Sequence, residues 1–194
     1  MTIKMIRSTT PRVAWFALLG SLACLGTAQA HITLSSDTAA AGAYARVVLR
    51  VPHGCGASPT TGITVQVPAG YLLVRPMPKP GWTLTLEKAP LKPPLRLHGR
   101  EIGQTTAQVR WQGGPLPADQ FDEFVLLGKL DDQAAGPLAL RVVQTCEQGS
   151  IDWAGGADSA TPAPVLDVVP AVPAAPLGAV SPKGPAHTGH GHQH

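Results

Sequence analysis

Tyr44-Ala45-Arg46-Val47-Val48-Leu49-Arg50-Val51 decides the fold class of this chain. Ala45, Val47, Leu49 and Val51 alternate with Tyr44, Arg46 and Arg50, and successive side chains of a strand point to opposite faces. The β-branched content also suits a pleated surface with one face in a core. The same period recurs on either side. Ile63-Thr64-Val65-Gln66-Val67 alternates and stops at Pro68, and Trp82-Thr83-Leu84-Thr85-Leu86-Glu87 alternates again. Tyr71–Val74, Gln104–Trp111, Glu123–Leu130, Leu138–Gln144 and Ile151–Trp153 are further strand candidates. No window sustains a helical period. Short strands with regularly spaced turns predict an all-β chain, a single immunoglobulin- or cupredoxin-like β-sandwich. The Pro- and Gly-rich stretches Pro76–Gly81, Pro90–Pro94 and Gly113–Pro117 are expected as connections, because proline lacks a ladder donor.

Three regions emerge from composition. Residues 1–30 read as a signal peptide, with Lys4, Arg7 and Arg12 ahead of an apolar run from Val13 to Gly26 and a small-residue site at Ala28-Gln29-Ala30. The run is short of the roughly 20 residues that span a bilayer. Cleavage after Ala30 leaves a periplasmic or secreted protein with no transmembrane anchor. Residues 31–157 form the expected sandwich domain. Residues 158–194 are an Ala/Pro-rich linker and a His-rich tail, expected to be disordered, although Val165–Val169 offers one further strand.

The leader alters the charge balance. The chain carries 15 basic and 12 acidic residues, and the three basic residues of the leader account for the difference. A processed chain near neutrality has no basic field for nucleic acid. The leader also removes Cys24. Cys55 and Cys146 remain, and an even count in an exported chain predicts a disulfide between them.

Cleavage at Ala30 would place His31 at the mature N-terminus. Its α-amine, with a pKa of ~7.7–8.0, and its ring Nδ1 could then chelate one ion. Paired nitrogens of this kind favour Cu(II). Ile32-Thr33-Leu34 continues as a strand-like run, which would hold the terminus. Glu147, with Asp152 as the alternative acid, is a candidate to complete the site, and Trp153 is a candidate to cover one face of it. Each also has a plain structural reading: a turn acceptor, a solvated strand residue and a core indole.

Six ordered motifs carry a resemblance: Ala30-His31-Ile32-Thr33-Leu34, Arg50-Val51-Pro52-His53-Gly54-Cys55, Pro78-Lys79-Pro80-Gly81-Trp82, Trp111–Pro117, Asp119–Phe124 and Val143–Gly149. The chain resembles the YcnI family of exported bacterial copper-binding proteins from Ala30 to about Trp153. That resemblance implies a β-sandwich binding Cu(II) through a single-histidine brace, with a nearby acid and a tryptophan. It places the brace on His31 and the tryptophan on Trp153, with Glu147 preferred as the acid.

The remaining histidines are weaker candidates. His53 is either a second imidazole or a loop histidine bonded to a backbone carbonyl, and His98 reads as a turn residue. His187, His190, His192 and His194 could collect metal near the brace. The acids of Asp119–Phe124 read as a strand entry. No Ser/His/Asp arrangement, phosphate-cradling loop or Cys-x-x-Cys motif is present.

The expected function is that of a non-enzymatic Cu(II) carrier or buffer that exchanges copper with other exported or membrane copper-transport proteins. Two rival readings are a copper-dependent polysaccharide oxidase, which would need a second histidine, and an adhesive sandwich in which His31 is incidental.

Overall fold

A computed structural model describes residues 31–171. The expected leader, the tail beyond residue 171 and the four tail histidines lie outside the described residues, as does the expectation of a disordered tail.

The described residues form strands and no helix. Three are short or lie early in the chain: β1 (Thr33–Leu34), β2 (Thr38–Ala40) and β3 (Tyr44–Val51). The middle of the chain supplies β4 (Thr60–Gln66), β5 (Tyr71–Pro76), β6 (Trp82–Leu97), β7 (Arg100–Leu116) and β8 (Asp122–Leu130). The end supplies β9 (Gly136–Ala139), β10 (Arg141–Cys146), β11 (Ser150–Trp153) and β12 (Val165–Val169). One sheet has the order β1-β3-β8-β5, and a second has β11-β10-β4-β7-β6. A small third sheet, β2-β12-β9, pairs an early strand with the last described one. The sandwich thus continues past residue 157, with Leu166 and Val168 of β12 buried.

The alternation in β3 does what its period predicts. Val47, Leu49 and Val51 are fully buried, while Tyr44, Arg46 and Arg50 are exposed. Val48 is buried on the other face, opposite Val125 of β8 in the ladder. Ile63 and Val65 of β4, Val109 and Trp111 of β7, and Val142 of β10 face them from the second sheet. Phe124 of β8 meets Trp111 and Trp82 edge-on, with ring centroids 5.3 Å and 5.1 Å away. Such pairs add roughly 0.5–1.5 kcal/mol each beyond the area they bury.

Two proline-rich stretches differ from expectation. Pro90–Pro94 lies inside β6, and Gly113–Leu116 inside β7. For β6 the reason is position: it is the edge of its sheet, where a missing N–H can face solvent. In contrast β7 is interior, and its Pro115 falls where the pairing with β4 is irregular, between Thr60–Leu116 and Gly62–Gln112. The prolines instead distort the pairing. Leu91, Lys92, Pro93 and Pro94 stand opposite Gly103 alone, between the pairs Pro90–Gln104 and Leu95–Ile102. At Gly113 the φ angle is 137°, and an added Cβ would sit 2.5 Å from the Gly81 carbonyl oxygen, so only glycine fits this approach of β7 to the start of β6.

Candidate metal centre

The strand β1 and its neighbouring residues hold His31 in place. Ile32 is buried in the core at 2 % exposure. Thr33 and Leu34 pair antiparallel with Arg50 and Leu49, and the Ser35 amide donates to the Val48 carbonyl. The first described residue is therefore anchored within two positions, and its ring is half-buried. The ring stands edge-on to Trp153, with centroids 5.9 Å apart and planes at 65°.

Trp153 ends β11 with its side chain buried. Its indole Nε1 donates to Gln144 Oε1 at 3.1 Å. Gln144 Nε2 donates in turn to the His53 carbonyl and to Thr60 Oγ1, each at 2.8 Å. Gln144 is 1 % exposed and its amide is bonded at both ends. One polar side chain thereby ties the tryptophan beside His31 to the loop that carries His53. Motif and ligand patterns do not single out Gln144. Its signal lies in the phase of β10, where Val142, Gln144 and Cys146 share the inward face, which puts a polar residue on the core side.

The disulfide expected between Cys55 and Cys146 is present, across a sequence separation of 91. It joins the turn that carries Glu147 to the loop that carries His53. The Glu147 amide donates to the Pro59 carbonyl at 3.0 Å, and its exposed carboxylate makes no hydrogen bond or ion pair within the described residues. His53 Nδ1 donates to the Gly54 carbonyl at 2.5 Å, so that nitrogen is already engaged by its own loop.

Asp152 is not brought to His31. Alternation along β11 turns it to the face opposite Trp153. There Arg141 Nε and Nη2 grip both of its oxygens, at 2.9 Å and 2.6 Å. Hydrogen bonding from Arg141 holds its carboxyl below the usual carboxylate range. Among the described residues, no three His, Cys, Asp or Glu side chains converge as a metal cage. The structure thus brings together His31, Trp153 and, through Gln144, the His53 loop.

A family profile described as a domain of unknown function, DUF1775, matches residues 31–168. The chain belongs to the DUF1775 family. Members of the YcnI family, whose motifs the sequence resembles, carry this domain. A crystal structure of an uncharacterized protein from Nocardia farcinica, described as revealing an immunoglobulin-like fold, is similar to this chain. The two are 28% identical with a TM-score of 0.54, over 71% of this chain and 97% of that one. The DUF1775 domain here is accordingly an immunoglobulin-like sandwich. No curated protein matches the chain.

Proposed function

We propose that this DUF1775 protein is an exported Cu(II) carrier or buffer that takes its ion at the processed N-terminus. The α-amine and Nδ1 of His31 supply two nitrogens, which can chelate together once Ala30 is removed. The observation that carries the reading is the seating of the His31 ring against Trp153 by a paired, core-anchored strand. A terminus meant only to end the chain has no need of such restraint. The family match beginning at His31 and the resemblance to the YcnI family support the same reading.

Of the two acids Glu147 has the free carboxylate within the described residues, since Arg141 already engages Asp152. It would have to reach His31 from the β10–β11 turn, at the opposite end of that hairpin from Trp153. An open set of two nitrogens and one carboxylate holds copper yet releases it, which suits cargo passed to exported or membrane transport proteins. The disulfide agrees with an oxidising compartment, the periplasm or the cell exterior.

EPR of the processed protein with one equivalent of Cu(II) tests the proposal. A spectrum with two nitrogen donors is expected, lost when the amine is acetylated or when His31 is replaced by alanine. An unchanged spectrum after acetylation refutes the brace. A signal lost only on deleting the residues after Ala171 moves the site to the tail. Turnover on chitin or cellulose that depends on His31 would replace the carrier reading with the oxidase one.

A further inference from the structure

A second concave site lies away from His31, beneath the long β6–β7 ribbon. The ribbon carries the four-against-one irregularity at Gly103, and Leu97, His98 and Arg100 at its tip line the same groove as Tyr44 of β3, Leu73–Arg75 of β5 and Leu127 of β8. The groove encloses about 650 Å³, within the range of small-molecule sites.

Three independent features coincide there. The first is apolar exposure: Tyr44, Leu86 and Leu127 are 59%, 42% and 47% exposed, and all three line the groove. Apolar side chains of this size gathered on one concave face are unlike the single exposed residues found on any surface. The second is charge. Arg75, Lys88 and Arg100 also line it, no acidic residue does, and none of the three makes an ion pair within the described residues. Elsewhere in the domain Arg50, Lys79 and Arg141 are paired with carboxylates. Arg46, Lys92 and Arg110 are unpaired within the described residues but lie outside the groove, so it is the gathering of three free cations on one apolar concavity that sets it apart. The third is backbone strain. Leu73 and His98, at φ 55° and 50°, both line this groove. The angle of His98 belongs to the two-residue His98-Gly99 turn that joins β6 to β7, so the strain is that of Leu73, within β5. Leucine at such an angle is disfavoured by its Cβ, and strain of this kind concentrates where a ligand is held. Leu73 is fixed there by its amide bond to Thr105 Oγ1 and by the bulge that sets Leu73 and Val74 opposite Gly128.

We infer that this groove binds a single anionic amphiphile, with an apolar chain along Tyr44, Leu86 and Leu127 and a carboxylate head among Arg75, Lys88 and Arg100. The apolar floor excludes a purely ionic ligand as its best occupant, and the unpaired cations select the sign of the head. The concave shape, walled by the ribbon, suits one molecule rather than a flat bilayer.

Sodium decanoate below its micellar concentration is the probe, with binding read from amide chemical shifts of the processed protein. Shifts are expected at Tyr44, Leu86, Leu127 and Arg100. Affinity should rise about fourfold per methylene from octanoate to decanoate while the chain remains buried. Decanol should bind at least tenfold more weakly. Arg75→Glu/Arg100→Glu should lose decanoate tenfold or more, and Leu86→Gln should flatten the chain-length dependence. Equal binding of decanol and decanoate, shifts outside the groove, or association with phosphatidylglycerol vesicles but not with monomeric decanoate would each overturn the inference. The ligand series on the unmodified protein decides the matter even where a variant fails to fold.

Discussion

Replacing Gln144 by leucine tests whether the polar tie beneath His31 is structural. Leucine is close in volume, so no large cavity opens. Three partners are stranded: the Trp153 indole N–H, the His53 carbonyl and Thr60 Oγ1. Trp153 and Thr60 are 1% and 0% exposed, so water cannot substitute. A buried group left unpaired costs roughly 1–3 kcal/mol. Thr60 retains a weak contact with Cys146 Sγ at 3.8 Å, and the His53 loop can relax toward solvent. The expected loss is therefore about 3 kcal/mol, below the simple sum. Urea unfolding of the wild type and Gln144→Leu at neutral pH measures it. Adding Trp153→Phe removes one stranded donor and should make the pair less costly than its separate effects by roughly 1 kcal/mol. A Gln144→Leu cost below about 1 kcal/mol, or strict additivity with Trp153→Phe, would refute the claim that these hydrogen bonds secure the tryptophan.

Other parts of the fold yield further expected outcomes. Removing the disulfide as Cys55→Ser/Cys146→Ser opens a loop set by the separation of 91 and should lower stability by about 4–5 kcal/mol, read as a lower urea midpoint. Gly113→Ala forces a Cβ against the Gly81 carbonyl at a glycine-only angle and should cost about 2–3 kcal/mol by thermal unfolding. Burial holds the Tyr71 phenol well above its ordinary value, and its hydroxyl donates to the Ala45 carbonyl at 2.9 Å. The folded chain keeps this proton where the unfolded chain loses it. Stability from Tyr71 is thus intact below pH ~10 and declines above it. Tyr71→Phe should flatten that alkaline loss, and in a Tyr44→Phe background, which removes the exposed phenol, phenolate absorbance should appear only together with unfolding.

Much of the sandwich is legible in the sequence because a period of two is a direct imprint of a half-buried sheet. The alternating stretches Tyr44–Val51 and Val165–Val169 coincide with β3 and β12. Leu138–Gln144 has the pattern of one strand but breaks into β9 and β10 at Leu140, which is buried at 1% and whose amide bonds to the Pro164 carbonyl. The length of β6 is hidden because proline stops a central strand but not an edge strand, and that of β7 because its Pro115 falls at an irregularity in its pairing with β4; both depend on partners far along the chain. At the candidate site, Trp153 is legible as the neighbour of His31, but the engagement of Asp152 is not. Its partner Arg141 lies across a strand pair whose register no local pattern encodes. Gln144 is readable in principle, from a polar residue in an inward phase.

The sheet β2-β12-β9 sets the order in which the chain can finish. β12 runs parallel to β2, with Asp167, Val168 and Val169 beside Thr38, Ala39 and Ala40. Synthesis delivers β2 almost first and β12 almost last, so the early strand must wait with an unpaired edge while more than a hundred residues arrive. Pairings this distant form slowly, and open edges recruit other strands in the interval. A chain that emerges segment by segment therefore cannot close its sandwich from the leading end. Any stall short of Val169 leaves both β2 and β9 open to the strands of a second copy.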